Sequence, residues 1–495
     1  MRRPWAWALL LALAWGVLPA LPALLHGHLI GQPFTDLYPS VWGLHWFAAH
    51  QPGLPTMAPE LAWPDGAGFY YSSPIHGWAA WPLLAAGLPL PWVWNLTLLA
   101  ARLAGPLLAF TWLRAEGLEA RGALVGAALF GCAPTLHGYA VEGIVEGTDA
   151  WTLALWGLLL ARRRPLAAAA AFALVVASSW YLGLAGLMVA AARTREGPRA
   201  PLTALGGTLL ALPLWFLFHG AFSAAAPLDP AVRVAMGTAL TLPRPGLLSG
   251  LNPFALTSYL GFVALGLFAL GARRRPWLAA GAALCWLLST GWGPWYALPG
   301  LAMVRFPYRL VVAALFLAAP IAGLAAQRWR YGAWLAAAIV AEGLLLSPVE
   351  PILPEAPAAL PAPYAEVAPT VLLEVPGPVA LPPGQVNPSR PRARYLLYYQ
   401  AFHRAASPWR FDFNFVAPSG QAPWLATWRA LDPVEQVEAP VQPPSVAALL
   451  AAGVGQVMLH PRELGGRAPL AREALREAGW ERVAADDEQE LWAAP

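Results

Sequence analysis

Four carboxylates and two arginines stand out as residues able to do chemistry in this 495-residue chain. Glu142, Glu146 and Asp149 fall within eight residues, in His137-Gly-Tyr-Ala-Val-Glu142-Gly-Ile-Val-Glu146-Gly-Thr-Asp149. Glu142 and Glu146 are four apart, so on a helix they share a face and repel unless a positive group lies between them. Asp36 stands alone in Thr35-Asp36-Leu37-Tyr38-Pro39. Arg305 and Arg309, in Arg305-Phe-Pro-Tyr-Arg309, also lie four apart and open an apolar run. Guanidinium groups grip phosphate oxygens bidentately. A carboxylate accepts a proton from a hydroxyl as that hydroxyl attacks. Trp and Tyr surround both sets, so the chemistry they suit is that of a phosphate carried on a lipid at a membrane surface. Tyr38, Tyr70, His76 and His137 flank these groups and are candidate substrate contacts.

Each residue also has a plainer reading. Asp36 and Asp149 precede helices and could cap them. Glu142 and Glu146 could be solvated loop charges, and the arginines could be anchors reaching lipid head groups. His26, His28, His76 and His137 share no metal-binding spacing and read equally well as interfacial polar residues. Glu342, inside the last apolar run, is a functional candidate by position alone.

Composition sets the frame that must hold these residues. Charged residues are 12% of the chain, half the roughly 25% usual in soluble proteins. Hydrophobic residues are 58%, mean hydropathy is +0.51, and all 31 basic residues are arginine. This excludes a soluble enzyme, a disordered protein and a nucleic-acid binder. Residues 1–349 hold 20 Arg and 11 Asp/Glu, whereas residues 350–495 hold 11 Arg and 16 Asp/Glu. The chain therefore reads as a basic, membrane-embedded part followed by an acidic one. Its two cysteines lie in apolar runs and form neither a disulfide framework nor a metal motif.

Apolar runs mark about eleven spans: 5–25, 91–113, 122–138, 149–161, 165–178, 180–192, 201–219, 256–272, 277–290, 308–326 and 332–347. Arginines at 2–3, 114/121, 162–164, 193–199, 273–275 and 328/330 fall on one side if the runs alternate. The same rule makes 165–178 and 180–192 a hairpin, since arginines flank both ends of the pair. The N-terminus is then cytoplasmic and the C-terminal part lies outside the cell membrane. The first outer loop, 26–90, is too long for a bare connection and carries short interfacial helices.

Residues 350–369 are a Pro/Ala-rich linker. Beyond it, strands are expected at 371–376, 395–399, 455–460 and 490–492, with helices at 445–452 and 470–478. That alternation predicts a small extracytoplasmic α/β domain over 370–495. It contains no nucleophile motif, phosphate loop or metal spacing, so it is expected to bind an acceptor or cover the loops.

In this architecture residues 1–349 resemble the GT-C superfamily of integral-membrane glycosyltransferases. The points of resemblance are the cytoplasmic N-terminus, the long first outer loop and the acid soon after the first span. The chain is similar also to multispanning bacterial membrane proteins related to that superfamily. The resemblance implies a polytopic all-α membrane bundle and a polyprenyl-phosphate-linked sugar donor used on the outer face of the membrane. It implies Asp36 as catalytic base, with Glu142, Glu146 and Asp149 assisting it or holding a divalent cation. Arg305 and Arg309 would hold the donor phosphate, and the acceptor would be an envelope glycan, lipid or protein. No Asp-x-Asp or Asp-Glu pair follows the first span. A non-catalytic accessory role in envelope polysaccharide assembly is the alternative. A lipid-linked-sugar flippase fits less well, because the spans are nearly pure Ala, Leu, Val and Trp and the polar groups gather outside.

Overall fold

The computed structural model describes residues 2–33, 35–54, 56–68, 73–223, 257–290, 304, 306–377, 392–409, 423–433 and 444–495. The apolar runs in them are helical over most of their length, although the run at 256–272 becomes helical only from Phe262. Five helical stretches are long and apolar enough to cross a membrane: Pro4–His26, Leu90–Ala115, Ala120–Glu142, Arg199–Leu217 and Pro307–Ala326. Pro165–Ser178, Trp180–Ala192, Phe262–Ala272, Pro276–Ser289 and Gly332–Leu345 are shorter apolar helices, and Trp151–Ala161 has 11 residues. A 14-residue helix rises only about 21 Å, short of the ~30 Å hydrocarbon layer. Of the roughly eleven expected spans, several of them short, five are of sufficient length among the described residues. Prolines at the starts of Pro165–Ser178 and Pro276–Ser289 and the arginines before them explain the short runs. The expected break between 178 and 180 is present, with the Ser179 hydroxyl capping the second helix through the Tyr181 amide.

The chain divides into two compact units. Unit 1 comprises Met1–Ser40, Tyr71–Phe216 and Leu228–Pro357; unit 2 comprises Val41–Tyr70, Leu217–Pro227 and Ala358–Pro495. In unit 1, Ala120–Gly131 and Val311–Ala326 form the buried centre, and small residues let them touch. A methyl group on Gly122 would stand 2.4 Å from the Gly323 carbonyl oxygen. Beside this seam Trp112 stacks on Phe316 with ring centroids 4.0 Å apart. Helix Arg199–Ser223 instead exposes Leu202, Leu205, Leu209, Leu210, Trp215 and Phe216, an apolar exterior suited to lipid.

The loops that arginine placement assigns to one side do converge. Arg193 pairs with Glu116 (2.7 Å) and Glu196 (2.8 Å), and Arg275 pairs with Glu196 (2.8 Å). Glu342, a functional candidate from sequence, turns out to be a helix cap. Its carboxylate accepts from the amides of Phe262 and Val263 at the start of Phe262–Ala272, and from the Tyr259 hydroxyl at 2.8 Å.

The segment after the last helix is not a bare linker. Strand β1 (Leu29–Ile30) pairs antiparallel with β4 (Glu355–Ala356), with Ile30 opposite Glu355. Gly31 donates to the Pro354 carbonyl (2.9 Å) and Leu353 to that of Pro19 (2.8 Å).

Unit 2 holds two sheets. A small ribbon pairs β2 (Met57–Ala58) with β3 (Ala67–Gly68). The larger one contains β5 (Val371–Val375), β6 (Val454–Leu459), β7 (Glu481–Ala485) and β8 (Glu490–Ala493) in the order β5-β6-β8-β7. β5 and β6 are parallel, and the other pairs are antiparallel. Alternate residues face two cores: Leu373, Val457 and Trp492 meet Trp428 and Leu475, whereas Leu372, Met458 and Leu491 meet Tyr364 and Leu396. The expected strand at 395–399 is instead part of helix Arg392–His403. Its aromatic residues pair at helical spacing, Tyr395 with Tyr399 and Tyr398 with Phe402, and burial of Leu396, Leu397 and Tyr398 outweighs their strand propensity. Part of the first loop is built into this unit: Ser407 donates to the Glu60 carbonyl (2.7 Å), and Trp63 to that of Ser407 (3.0 Å).

Candidate functional site

In unit 1 the first and second loops are stitched together around Asp36. Its amide donates to the Glu142 carbonyl (3.0 Å), and Gln32 donates to that of Val141 (2.7 Å). The Thr35 hydroxyl also reaches the Glu142 carbonyl (2.9 Å). The carbonyl of Asp36 accepts from Ser40 (2.9 Å), so Asp36 occupies the cap position of helix Leu37–Ala49. Gly143 makes this junction possible. It ends helix Pro134–Glu142 in the left-handed conformation at φ 68°, and a methyl group there would lie 2.4 Å from the Leu37 Cα.

Glu146 and Asp149 take separate partners, and among the described residues the second-loop carboxylates form no metal-ligand cluster. Glu142 contributes its carbonyl to the Asp36 junction. Glu146 forms an ion pair with Arg309 at 2.7 Å, in which both side chains are mostly shielded. Aromatic rings surround that guanidinium, Tyr181 at 4.6 Å and Phe306 at 5.0 Å from its carbon. Tyr308 lies within the electrostatic reach of Asp36, Glu146 and Arg309.

Asp149 is fully buried and accepts from His76 Nε2 (2.9 Å), Ser73 Oγ (2.5 Å) and Trp151 Nε1 (3.1 Å). Both its oxygens are engaged, so its geometry is that of an anchor for helix Pro74–Ala85, and His76 is its partner in that anchor. His137 is likewise buried, with Arg102 donating to its Nδ1 at 3.2 Å. Arg102 also donates to the Trp15 and Gly16 carbonyls at the end of helix Arg2–Gly16. Tyr38 is buried with its hydroxyl on the Pro357 carbonyl (2.9 Å). Tyr70 and Arg305 lie outside the described residues. Sequence reasoning passed over Ser73, Tyr181 and Tyr308; only proximity to Arg309 marked Tyr308.

The whole chain aligns with the structure of the arabinofuranosyltransferase AftD from Mycobacteria, at 18% identity and a TM-score of 0.56. The chain shares a fold with that protein. The alignment covers 100% of this chain and 40% of AftD, so the chain spans less than half of that protein's length. The archaeal oligosaccharyltransferase AglB from Archaeoglobus fulgidus, solved with an inhibitory peptide and a dolichol-phosphate, aligns at 12% identity and a TM-score of 0.47. That alignment covers 92% of this chain and 68% of AglB. No protein-family model matches the sequence, and no curated protein matches it.

Proposed function

We propose that the chain is a membrane glycosyltransferase. It takes a sugar from a polyprenyl-phosphate donor and delivers it to a hydroxyl-bearing envelope acceptor on the outer face. The observation that carries this reading is the junction of the loops: Asp36 is held against the second loop by the hydrogen bond from its amide to the Glu142 carbonyl (3.0 Å), and the same loop's Glu146 holds a buried, aromatic-walled arginine. Asp36 takes the proton of the acceptor hydroxyl. That oxygen forms the new bond to the anomeric carbon from the face opposite the phosphate. The carbon–phosphate oxygen bond breaks, and its electron pair leaves on the phosphate, inverting the anomeric centre. Arg309, exchanging Glu146 for the departing phosphate, carries the charge that develops there. Asp149 and His76 are positioning residues in this scheme. The fold likeness to AftD supports the reaction class; sugar and acceptor are open to choice by the loops. With the N-terminus cytoplasmic, the junction faces outward, where lipid-linked donors meet it.

The test is transfer of labelled sugar from a panel of polyprenyl-phosphate donors, arabinofuranose included, to an envelope extract. Asp36→Asn is expected to lower turnover by about 10²–10⁴-fold, the usual worth of a general base, with donor affinity retained. Full turnover in that variant overturns the base assignment. Absence of transfer from every donor by folded wild-type protein overturns the reaction.

A further inference from the structure

We propose that unit 1 carries a binding site for a divalent transition-metal ion built from His26, His28 and Glu355. This site shares no residue with the proposed transfer chemistry and does not depend on it. The donor atoms already face one another. His26 Nδ1 lies 3.0 and 2.9 Å from the two Glu355 oxygens, and His28 Nδ1 lies 3.5 Å from Glu355 Oε2. The three ligand atoms fall within 4.8 Å of one another. A tetrahedral ion with bonds near 2.0–2.1 Å separates its ligand atoms by about 3.3 Å. The distances from the two histidines to Glu355 bracket that value. Their centroids are 5.8 Å apart at 63°. His28 Nδ1 is shielded from solvent and makes no hydrogen bond among the described residues. A metal bond would satisfy it.

Each ligand is placed by backbone, not by chance encounter of long side chains. His26 is the last residue of helix Leu21–His26, and Gly27, in the left-handed conformation at φ 69°, turns the chain so that His28 follows on the same side. A methyl group at Gly27 would meet nothing within 4 Å, so its backbone conformation alone calls for glycine there. The Asn95 amide holds the His28 carbonyl (2.8 Å) and its oxygen accepts from Ile30 (2.9 Å). The β1–β4 pairing then sets Glu355 beside the histidines. Two imidazoles with one carboxylate favour zinc-class ions over magnesium or calcium, which prefer all-oxygen shells. Water would complete the coordination, since His26 is 59% exposed at its side chain. Bound metal would staple the end of the first helix to the strand that follows the last one.

The test uses the full chain in detergent, stripped with a chelator and titrated with Zn²⁺ by calorimetry and with Co²⁺ by visible absorption. One ion per chain is expected, together with a Zn²⁺-dependent rise in Tm. His26→Asn removes an exposed ligand without disturbing packing, and Glu355→Gln keeps an acceptor for His26. Each should weaken Zn²⁺ binding at least tenfold and abolish the Tm rise, whereas His50→Gln should leave both unchanged. No saturable uptake by wild type, or equal uptake by the His26 and Glu355 variants, overturns the site.

Discussion

Arg309 is the positive partner of Glu146; Glu142 lies across the helix end at Gly143, so the shared helical face expected from their spacing does not form. Arg309 reaches Glu146 from 163 residues away in sequence at 2.7 Å, a pairing that no local pattern announces. The pair is shielded, so removing one partner strands the other. Arg309→Ala should cost on the order of 3–5 kcal/mol of stability, read as a fall in Tm in lipid nanodiscs; an unchanged Tm would mean that Glu146 relaxes into water. Glu146→Gln separates the roles. If carboxylate and donor phosphate compete for this guanidinium, the amide should tighten binding of a polyprenyl monophosphate several-fold, measured by calorimetry. Unaltered affinity would make the ion pair structural only. Asp36 was singled out at this scale by its place soon after the first apolar run, and the structure sets its amide on the Glu142 carbonyl. His76 and His137 were not, because their partners, Asp149 and Arg102, come from other elements. The metal-ligand triad was hidden for the same reason, with Glu355 far along the chain from His26 and His28.

Helix Pro134–Glu142 and its terminal Gly143 are the element on which the candidate site depends. Glycine is needed there twice, for a positive φ and for the 2.4 Å approach to Leu37. Gly143→Ala should therefore push the Asp36 turn away from the second loop. Transfer should fall at least tenfold while the spans stay folded, checked by activity alongside circular dichroism. Retained activity would show that the junction adapts. Apolar runs made the helices legible, since a membrane helix needs little beyond length and hydropathy. The short runs were legible too, because Pro and Arg mark their ends in the sequence: 165–178 and 180–192 are the helices Pro165–Ser178 and Trp180–Ala192. The missed strand β7 presents mostly exposed, partly charged residues and so lacks the alternation that betrays a strand. The misjudged 395–399 segment shows the reverse: aromatic richness suggests a strand, yet ring pairing at helical spacing wins.

At the scale of the whole molecule, unit 2 should be the acid-sensitive part. Burial, with Arg404 and His50 nearby, lowers His45 to about 4, and burial lowers His403 to about 4. The Ala405 amide donates to His403 Nδ1 at 3.0 Å, which requires the neutral ring. Both folded values lie below the ordinary 6.5, so unfolding takes up protons. Their stabilisation is complete above that value and is lost as pH falls towards 4. Calorimetric melts across this range should show Tm falling, with a shallower slope in His403→Gln, whose amide oxygen can still accept from Ala405; an identical slope would remove His403 from the account. Unit 2 is also assembled from distant stretches of chain, Val41–Tyr70 and Ala358–Pro495. The first emerges from the ribosome roughly 300 residues before the second begins. At about 5–20 residues per second that is a wait of about 15–60 s. Throughout it Trp42 and Trp63 lack Gln400 and Ser407, the partners they hold in the finished fold. Biogenesis thus leaves an apolar segment waiting while the later helices insert, a window in which a chaperone would have its one natural client.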